Sequence, residues 1–574
     1  NLESATTYYY RFYDFTTEAF SLIGRTRTAP EDNAEHLRFA VVSCQNYQAG
    51  YFNAFRKISQ RADIDAVIHL GDYIYEYGAG EGTYGYSEDR PDRANVPEFE
   101  TVNLADYRTR YSLYRLDPDL RAAHQQHPFI SVWDDHESTN DSHVDGAENH
   151  QEDEGDWEVR KAISKQVYYE WMPIRDLQPE RLFRKLSYGD LAEFFMLDTR
   201  LQAREPQPLL ASDTLEYRTM LGEAQLSWLG SRIKNSDAKW KVIGNQVMFS
   251  PFNVGFAAED PTNLEEITEL ESIFVDIWDG YPKERRRLLN RLTNNPEIDN
   301  LVILTGDFHC SFAFDVPKNP VNYPNPLAFN FPTPSNSYDP ETGEGSLLVE
   351  FATPSVTSAN FDENATLEEA IALQAAINAD IPIGPPLGTV NYNPHMKYVE
   401  LLSHGYMLLD LTEEAAQADW YYVNILEPND ETEIYGAGQL TQDGSRKLSP
   451  AEGEASPKEN QPQLAPSFPP ATAEEMEQFG VSEKEKSLAA FNIFPVPVQA
   501  GHPIFIHFAL NEPGDFTVEL IDVAGKVISA STEQGKPAGT YTFTLSIADE
   551  TPTGVYFLKM SNEKESITRK IVIE

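Results

Sequence analysis

Apolar runs of strand length alternate with amphipathic stretches of helix length between residues 36 and 426. The runs are short, rich in β-branched and aromatic residues, and closed by polar or turn residues, which is typical of strands. Those runs are LRFAVVSC, DAVIHLGD, HPFISVWDD, EFFMLDTR, WKVIGNQV, NLVILTGD, SLLVEFATPS, HGYMLLDL and ADWYYVNIL. The helical stretches include ADYRTRYSLYR, DWEVRKAISKQVYYEWM and GYPKERRRLLNRLTN. This alternation predicts a layered α/β domain.

The pattern changes after this region. Residues 427–488 are rich in Pro, Glu, Ser, Gln and Lys, which predicts an extended and poorly packed acidic linker. From residue 489, short alternating runs such as IFIHFAL, YTFTLSI and GVYFLKM are separated by turn signals, which predicts a small all-β sandwich. At the other end, TTYYYRFYDF and SLIGRTRTAP look like strands without earlier partners, so we expect further chain before Asn1.

Size and charge narrow the possible functions. A chain of 574 residues is too long for a single hydrophobic core, so two or three domains are expected. No run of 18 or more apolar residues occurs, so no membrane-spanning segment is expected. The net charge of −46 argues against a nucleic-acid binder and is compatible with divalent cations in a salty extracellular setting. Two cysteines, Cys44 and Cys310, exclude a disulfide framework.

Six of the predicted strands end on polar groups. In open α/β sheets, function lies outside the carboxyl ends of the strands. A single acid there is usually a cap or a turn residue, but six together indicate a site. These groups are Cys44, Asp72, Asp134-Asp135-His136, Asp198, Asn245 and Asp307 with His309.

Each group also has a simpler interpretation. Tyr75, three residues after Asp72, offers a hard phenolate oxygen suited to Fe³⁺, or it packs with the neighbouring tyrosines. Cys44 is either a small buried hydrophobic residue or a thiolate ligand. Asp307 and His309 lie on one side of an extended segment, and the two could bind different ions. His136 follows acids that could raise its pKa.

The segment GEGTYG, residues 80–85, matches the glycine pattern of a dinucleotide fingerprint. That fingerprint requires an apolar helix directly after the glycines. Here YSEDRPDRANVP follows, which is acidic and interrupted by prolines, so we expect a flexible loop.

Seven motifs taken in order resemble the PhoD-type alkaline phosphatases of the calcineurin-like and purple-acid-phosphatase superfamily. They are SCQNYQAGYF, HLGDYIYEYG, WDDHE, LDTR, DIWDGYP, LTGDFHCS and EFATPSVTS. The resemblance implies that residues 33–426 form a four-layer αββα metallophosphoesterase sandwich with a metal centre at the strand ends. It also implies that residues 1–32 are the remnant of an N-terminal β-sandwich domain.

The resemblance assigns ligands by position. Asp72 would bridge the metal ions, and Tyr75, His309 and Cys44 would bind Fe³⁺. Asp135 stands where purple acid phosphatases have Asn, and Asp307 where they have His. Both changes favour Ca²⁺ at the second position, with the number of Ca²⁺ ions left open.

The implied reaction is hydrolysis of phosphomonoesters by metal-activated hydroxide, with phosphodiesters left open as substrates. His136 would protonate the leaving alkoxide or bind phosphate. Arg200 is a candidate phosphate clamp, although a salt bridge at the rim is an equal alternative. Asn245 and Gln246 stand near the place of a histidine ligand that purple acid phosphatases have and this chain lacks. Either could bind a metal instead, and Gln246 is also a candidate for binding substrate.

Residues 489–574 resemble the C-terminal sorting domains of the type IX secretion system of Bacteroidota, through NIFPVPVQAG, FTVELIDVAGKVI, GVYFLKM and ITRKIVIE. FPVP replaces the usual Y-P-N-P. The resemblance implies export to the surface or the medium, with the secretion machinery as a partner. Separately, we expect a monomer. The alternatives are a dedicated phosphodiesterase or nuclease of the same fold, and a non-catalytic surface protein stabilised by calcium.

Overall fold

The structure of the chain is a computed structural model. It describes residues 2–15, 19–175, 181–211, 213, 216–260, 263–322, 332–384, 388–466, 488–494, 497–510, 513–522, 525–562 and 566–573.

The strands before residue 467 are β1 Thr7–Tyr10, β2 Tyr13–Asp14, β3 Ala19–Phe20, β4 Gly24–Arg27, β5 His36–Val42, β6 Ala66–His69, β7 Phe129–Ser131, β8 Arg184–Tyr188, β9 Ala192–Met196, β10 Trp240–Gly244, β11 Leu301–Thr305, β12 Ser311–Pro317, β13 Val321–Asn322, β14 Thr333–Pro334, β15 Ser346–Ala352, β16 Ile381–Gly384, β17 Gly388–Val390, β18 Met396–Glu400, β19 Gly405–Thr412, β20 Ala415–Val423, β21 Glu433–Gln442 and β22 Ser449–Pro450. The later strands are β23 Leu488–Phe494, β24 Pro503–Leu510, β25 Gly514–Asp522, β26 Val527–Lys536, β27 Gly539–Ser546, β28 Gly554–Ser561 and β29 Ser566–Ile573. The helices are α1 Asn53–Ser59, α2 Leu104–Leu116, α3 Pro118–Gln126, α4 Trp157–Trp171, α5 Gly222–Lys234, α6 Leu264–Ser272, α7 Pro282–Thr293, α8 Phe361–Asn364 and α9 Leu367–Ala376.

Two seven-stranded sheets form the centre of the large domain. One has the order β18-β12-β15-β11-β10-β9-β8, and the other has the order β22-β21-β20-β19-β5-β6-β7. Strands β9, β10, β11 and β15 run parallel, as do β5, β6 and β7. Parallel strands bring their carboxyl ends to one edge of each sheet, which is where the polar strand ends gather.

Alternate residues of the first sheet face two different cores, because neighbouring side chains of a strand point to opposite faces. Phe194 and Val242 belong to the core between the sheets, where the rings of Phe39 and Phe194 lie 4.7 Å apart. Their neighbours Phe195 and Ile243 belong to a second core.

Helices cover the outer faces of both sheets. Tyr111 of α2, Leu120 of α3 and Val167 of α4 join the core that includes the β5–β7 strands. Leu229 of α5 and Leu288 of α7 join the second core. The layers are therefore helix, sheet, sheet and helix, and the predicted four-layer α/β fold is confirmed.

Local signals account for the starts of α2, which was predicted, and of α3, which was not. Asn103 caps α2 by accepting hydrogen bonds from the backbone of Ala105 and Asp106, and Asp106 completes a capping box. Asp117 caps α3 and is followed by Pro118 at the first helical position, where the missing N–H costs nothing. The glycine-rich segment 80–85 forms turns, and no α-helix follows it directly, as the interpretation as a loop requires.

The prediction of an unpacked linker from residue 427 is wrong for residues 433–466. Strand β21 pairs with β20 over nine residues, and β22 follows it at the edge of the sheet. Beyond them, Lys458 forms an ion pair with buried Asp65, and the Ala465 backbone exchanges hydrogen bonds with Gln126. The composition was misleading because an edge strand and a surface strap both carry many polar residues. Residues 467–487 of the predicted linker lie outside the described residues.

The described part of residues 488–573 forms a β-sandwich with sheets β23-β24-β27 and β26-β25-β28-β29. Ile504 and Phe508 from one sheet share a core with Val518 and Leu558 from the other. The predicted all-β C-terminal domain is therefore confirmed. Near the other terminus, β1 pairs with β4 and β2 pairs with β3. Whether this segment is a remnant of a larger sandwich stays a prediction.

Among the described residues, no helix combines the length and the apolar character that crossing a membrane would require.

Candidate metal centre

The predicted ligands meet at the carboxyl edge of the two sheets. The ligand atoms of Cys44, Asp72 and His309 all lie within 4.8 Å of one another. The same holds for Asp72, Asp135 and His136, and for Asp134, Asp135 and Asp307. Asp72 belongs to two of these groups and therefore stands between two neighbouring places for a cation.

Four of these residues have left-handed backbone conformations. The φ angles are +58° at Cys44, +57° at Asp72, +62° at Asp307 and +64° at His309. A side chain with a Cβ is unfavourable there, and such strain concentrates at functional sites. The turns that follow three different strands are thus bent so that their side chains face one place.

Gly71 allows the turn before Asp72 to approach the next strand end. Its φ is +118°, and a Cβ built on it would lie 2.4 Å from the Cβ of Asp134. Any other residue would strain the backbone and clash with Asp134. Glycine is therefore required for Asp72 and Asp134 to stand side by side.

Glu137 ties these two strand ends together. Its carboxylate accepts hydrogen bonds from the backbone N–H of Asp72 at 3.0 Å, of Tyr73 at 2.7 Å and of Asp134 at 2.8 Å. Burial raises the pKa of Glu137 to about 8, although the three donors oppose the shift. Glu137 thus positions the ligands without offering an oxygen of its own.

The group around Cys44 combines sulfur, carboxylate, phenol and imidazole. The Tyr75 hydroxyl donates to Asp72 Oδ2 at 3.0 Å and lies 3.5 Å from Nε2 of His309. Nδ1 of His309 donates to the carbonyl of Ala359 at 2.8 Å, which leaves Nε2 as the free ring nitrogen. Burial lowers the pKa of His309 to about 4, so the imidazole is neutral and able to bind a metal.

The protein alone does not neutralise the acids of this centre. Burial raises the pKa of Cys44, Asp72 and Tyr75 well above their ordinary values, and nearby acidic groups add to each shift. Asp72 Oδ1 and Asp134 Oδ2 are buried without a hydrogen-bond partner. Buried carboxylate oxygens without a partner are expensive, and a bound cation removes that cost. The donor set therefore fits metal ions.

Arg200 supplies positive charge next to Asp134 and Asp307. Its side chain is fully buried, with Nε bonded to Asp134, Nη1 to Asp276 at 2.8 Å and Nη2 to Asp307 at 2.9 Å. Burial opposes ionisation of Asp135, but Arg200 and His136 outweigh it and lower the Asp135 pKa to about 2. Every nitrogen of the guanidinium group faces a carboxylate in this arrangement.

His136 lies over Tyr75, with ring centroids 4.1 Å apart. Its Nδ1 donates to Oε2 of Glu76 at 2.7 Å. Burial lowers the His136 pKa, but the carboxylates of Glu76, Asp135 and Asp72 outweigh burial and raise it well above the ordinary value. The raised pKa therefore favours the positively charged form of His136, with a proton on each ring nitrogen.

The side chains of Gln246 and Asn245 form hydrogen bonds with other groups of the protein. Nε2 of Gln246 donates to the carbonyls of Trp133 at 3.0 Å and Leu197 at 2.7 Å, and its Oε1 accepts from Thr199. Asn245 bonds to the backbone of Val247 and accepts from the Trp278 indole. In this arrangement Gln246 joins strand ends, and its role in binding substrate stays a prediction.

Several residues that support the site were not singled out from the sequence, namely Glu76, Glu137, Asp276 and Ser358. Each lies within a motif quoted above, in HLGDYIYEYG, WDDHE, DIWDGYP and EFATPSVTS respectively. Asp141 was missed as well, and its carboxylate lies within 4.8 Å of those of Asp135 and Asp276. The sequence signal for the first four residues was their position inside a motif. Their contacts could not be predicted, because the residues that they contact lie far away in the chain.

Comparison with known proteins identifies relatives of the large domain and of the C-terminal domain. The profile of the PhoD-like phosphatase family matches residues 39–420, and that of the secretion system C-terminal sorting domain matches residues 492–574. The chain is 37% identical over 329 residues to alkaline phosphatase D of Bacillus subtilis (strain 168). That match covers 54% of this chain and 52% of the relative, so the chain spans about half the length of that protein. A solved structure of PhoD superposes with a TM-score of 0.60 at 28% identity, covering 79% of this chain and 78% of that one.

Proposed function

The chain belongs to the PhoD-like phosphatase family, and from this we propose that it is an exported phosphoester hydrolase acting on phosphomonoesters. The observation that carries the proposal is the convergence of Cys44, Asp72, Asp307 and His309, all in left-handed conformations, at one edge. Backbone strain at four ligand-type residues in one place is typical of a functional site. The C-terminal sorting domain indicates export, to the cell surface or the medium.

The proposed ion positions divide the ligands by the type of donor atom. Fe³⁺ would be held by Cys44, Tyr75, His309 and Asp72, since phenolate and carboxylate oxygens are hard donors. Ca²⁺ would be held by Asp72, Asp135 and Asp307, because oxygen-only sets suit that ion. When bound, the ions lower the pKa of a coordinated water and offset charge on the phosphoryl oxygens.

The chain itself contributes a proton donor. Glu76 holds Nδ1–H of His136, so the second ring proton, on Nε2, is the one available to the leaving alkoxide. A donor at this place shortens the lifetime of the alkoxide charge and lowers the barrier to P–O cleavage. The carboxylates of Glu76, Asp135 and Asp72 raise the pKa of His136, which favours the protonated form of the donor.

Arg200 has a different role in this proposal from the phosphate clamp that its motif suggested. Its bonds to Asp134, Asp276 and Asp307 support a role in balancing the acids and holding Asp307 in place. A direct phosphate contact would require one of these bonds to break. The proposal therefore gives Arg200 a positioning role and leaves substrate charge to the metal ions and His136.

Two substrates with the same leaving group test the proposal. The full chain, loaded with Fe³⁺ and Ca²⁺, is assayed with 4-nitrophenyl phosphate and bis(4-nitrophenyl) phosphate. We expect a higher kcat/KM for the monoester. A higher value for the diester would favour the phosphodiesterase alternative. No hydrolysis of either ester by protein that holds both metals would favour the non-catalytic, calcium-stabilised surface protein.

A second proposal concerns the partner of the sorting domain. The match to residues 492–574 supports recognition by the type IX secretion machinery. Fusion of residues 489–574 to a periplasmic reporter in a host with that system should bring the reporter to the surface or the medium. Retention of the fusion in the periplasm would contradict the proposal.

A further inference from the structure

The turn of residues 355–360, which follows β15, contacts three of the proposed iron ligands. The backbone N–H groups of Thr357 and Ser358 donate to the carbonyl of Cys44 at 3.3 and 3.2 Å. The carbonyl of Ala359 accepts from Nδ1 of His309 at 2.8 Å. The hydroxyl of Ser358 lies 2.6 Å from the hydroxyl of Tyr75. One turn therefore holds ligands that come from three separate strand ends.

The Ser358 hydroxyl has one hydrogen and two acceptors. Its Oγ lies 2.8 Å from the carbonyl of Cys44 and 2.6 Å from the oxygen of Tyr75. The Tyr75 hydroxyl, in turn, donates to Asp72 at 3.0 Å. When Tyr75 loses its proton, its oxygen becomes the stronger acceptor, because hydrogen bonds to ionised groups are shorter and stronger. The Ser358 hydrogen then belongs to Tyr75, while the Cys44 carbonyl keeps its two amide donors.

Hydrogen bonds of Ser355 and His404 keep Ser358 in place. Ser355 Oγ donates to the carbonyl of Ser358 at 2.7 Å and lies 2.9 Å from Nδ1 of His404. Nε2 of His404 is 3.1 Å from the carboxylate of Glu363. Ser355, Ser358 and Tyr75 are fully buried. Water therefore does not replace the Ser358 hydroxyl as the donor to Tyr75.

We propose that Ser358 is a positioning residue that donates a hydrogen bond to the Tyr75 phenolate and so sets how strongly this ligand gives charge to iron. The inference rests on the proposed iron site. A donor to the phenolate oxygen stabilises its filled orbitals, so more energy is needed to transfer an electron to Fe³⁺. The wavelength of the phenolate-to-iron absorption band therefore reports the bond directly.

The test compares absorption spectra of the purified full chain and its variants at equal iron content. Ser358→Ala should keep its iron but move the band to longer wavelength, because the phenolate loses its donor. Ser358→Thr keeps the hydroxyl and should restore the wild-type position. Thr357→Val is the matched control, since the Thr357 hydroxyl in the same turn donates to the carbonyl of Asn46 at 2.8 Å and touches no ligand. Its band should stay at the wild-type wavelength.

The possible results distinguish a failure of the proposed Ser358 role from a failure of the iron site itself. The role of Ser358 is overturned if the wild-type protein holds iron and shows the band, and the iron-loaded Ser358→Ala variant absorbs at the same wavelength. A wild-type protein that takes up no iron overturns the iron site, and this role with it. Should Ser358→Ala fail to fold, Ser358→Cys tests the same bond, because a thiol is a weaker donor than a hydroxyl and should move the band to longer wavelength than in the wild type. An unshifted band in that variant overturns the proposal.

Discussion

The carboxylate of Glu76 accepts a hydrogen bond from Nδ1 of His136 across 2.7 Å, in the interior of the protein. Glu76 also accepts from Thr139, the Asn140 backbone and Asn149. Burial alone would raise the Glu76 pKa, but the imidazolium of His136 and these donors lower it. The two side chains therefore form an ion pair that fixes both the orientation and the charge of His136.

Glu76→Gln should lower kcat by roughly 10-fold to 100-fold, because His136 loses the charge that favours its protonated form. The change is measured as kcat for a phosphomonoester, with metal content checked in parallel. Glu100→Gln is the control, since Glu100 also contacts Asn149 but pairs with Arg160 instead of His136. An unchanged kcat in Glu76→Gln would remove His136 from the role of proton donor.

Tyr75→Phe should abolish the phenolate-to-iron absorption, because only the hydroxyl oxygen of Tyr75 is lost. The visible spectrum of the iron-loaded protein measures this. Tyr84→Phe removes a hydroxyl nearby that accepts from the Ala359 backbone, and it should leave the band in place. Colour that persists in Tyr75→Phe would show that Tyr75 does not bind the iron.

Removal of Ca²⁺ should abolish activity. Asp135 and Asp307, two of the proposed Ca²⁺ ligands, have oxygens within 4.8 Å of each other and of Asp134, and these carboxylates repel one another when the cation is removed. Hydrolysis is measured in excess calcium chelator and again after Ca²⁺ is restored, with iron content unchanged. We expect loss and then recovery. Full activity in the chelator would contradict the calcium assignment.

Shortening the chain should show where the large domain ends. A chain that stops at residue 466 keeps β21, β22 and the ion pair between Lys458 and Asp65. We expect it to melt cooperatively and to remain active. A chain that stops at residue 426 exposes the edge of β20 and leaves Asp65 without Lys458, so it should lose cooperative melting. Equal melting of the two chains would show that the segment adds no stability.

Acid should weaken the fold through His127. Burial lowers its pKa to about 3, although hydrogen bonds to the backbone of Ile58 and Ile64 oppose the shift. The unfolded chain binds that proton below about pH 6.5. The contribution to stability is therefore complete above about pH 6.5 and is lost as the pH falls toward about 3, at about 1.4 kcal/mol per pH unit.

His127→Gln removes this titration. Between about pH 7 and about pH 5, the wild type should lose about 2 kcal/mol more stability than the variant. Urea unfolding of the two proteins at both pH values measures the difference. Equal losses would show that His127 titrates normally in the folded protein.

Much of the fold followed from local pattern. Runs such as WKVIGNQV and NLVILTGD became β10 and β11, because a buried strand needs a short apolar stretch and a polar end whatever surrounds it. Strands β8, β12, β18 and β21 were not predicted. Their residues alternate weakly or mix with turn residues, so only the neighbouring strand that pairs with each of them defines it.

The sequence by itself determined the α/β layers, the all-β C-terminal domain and the ligand types at the strand ends, because those depend on periodicity and on neighbouring residues. Only the tertiary structure decided what holds the ligands. Ser358 meets Tyr75 across 283 positions, and Glu137 reaches Asp72 across 65. Hydrogen bonds of about 3 Å between such distant residues require the whole sheet pair to be assembled. For the same reason, only packing on Asp65 and Gln126 distinguishes residues 433–466 from a linker.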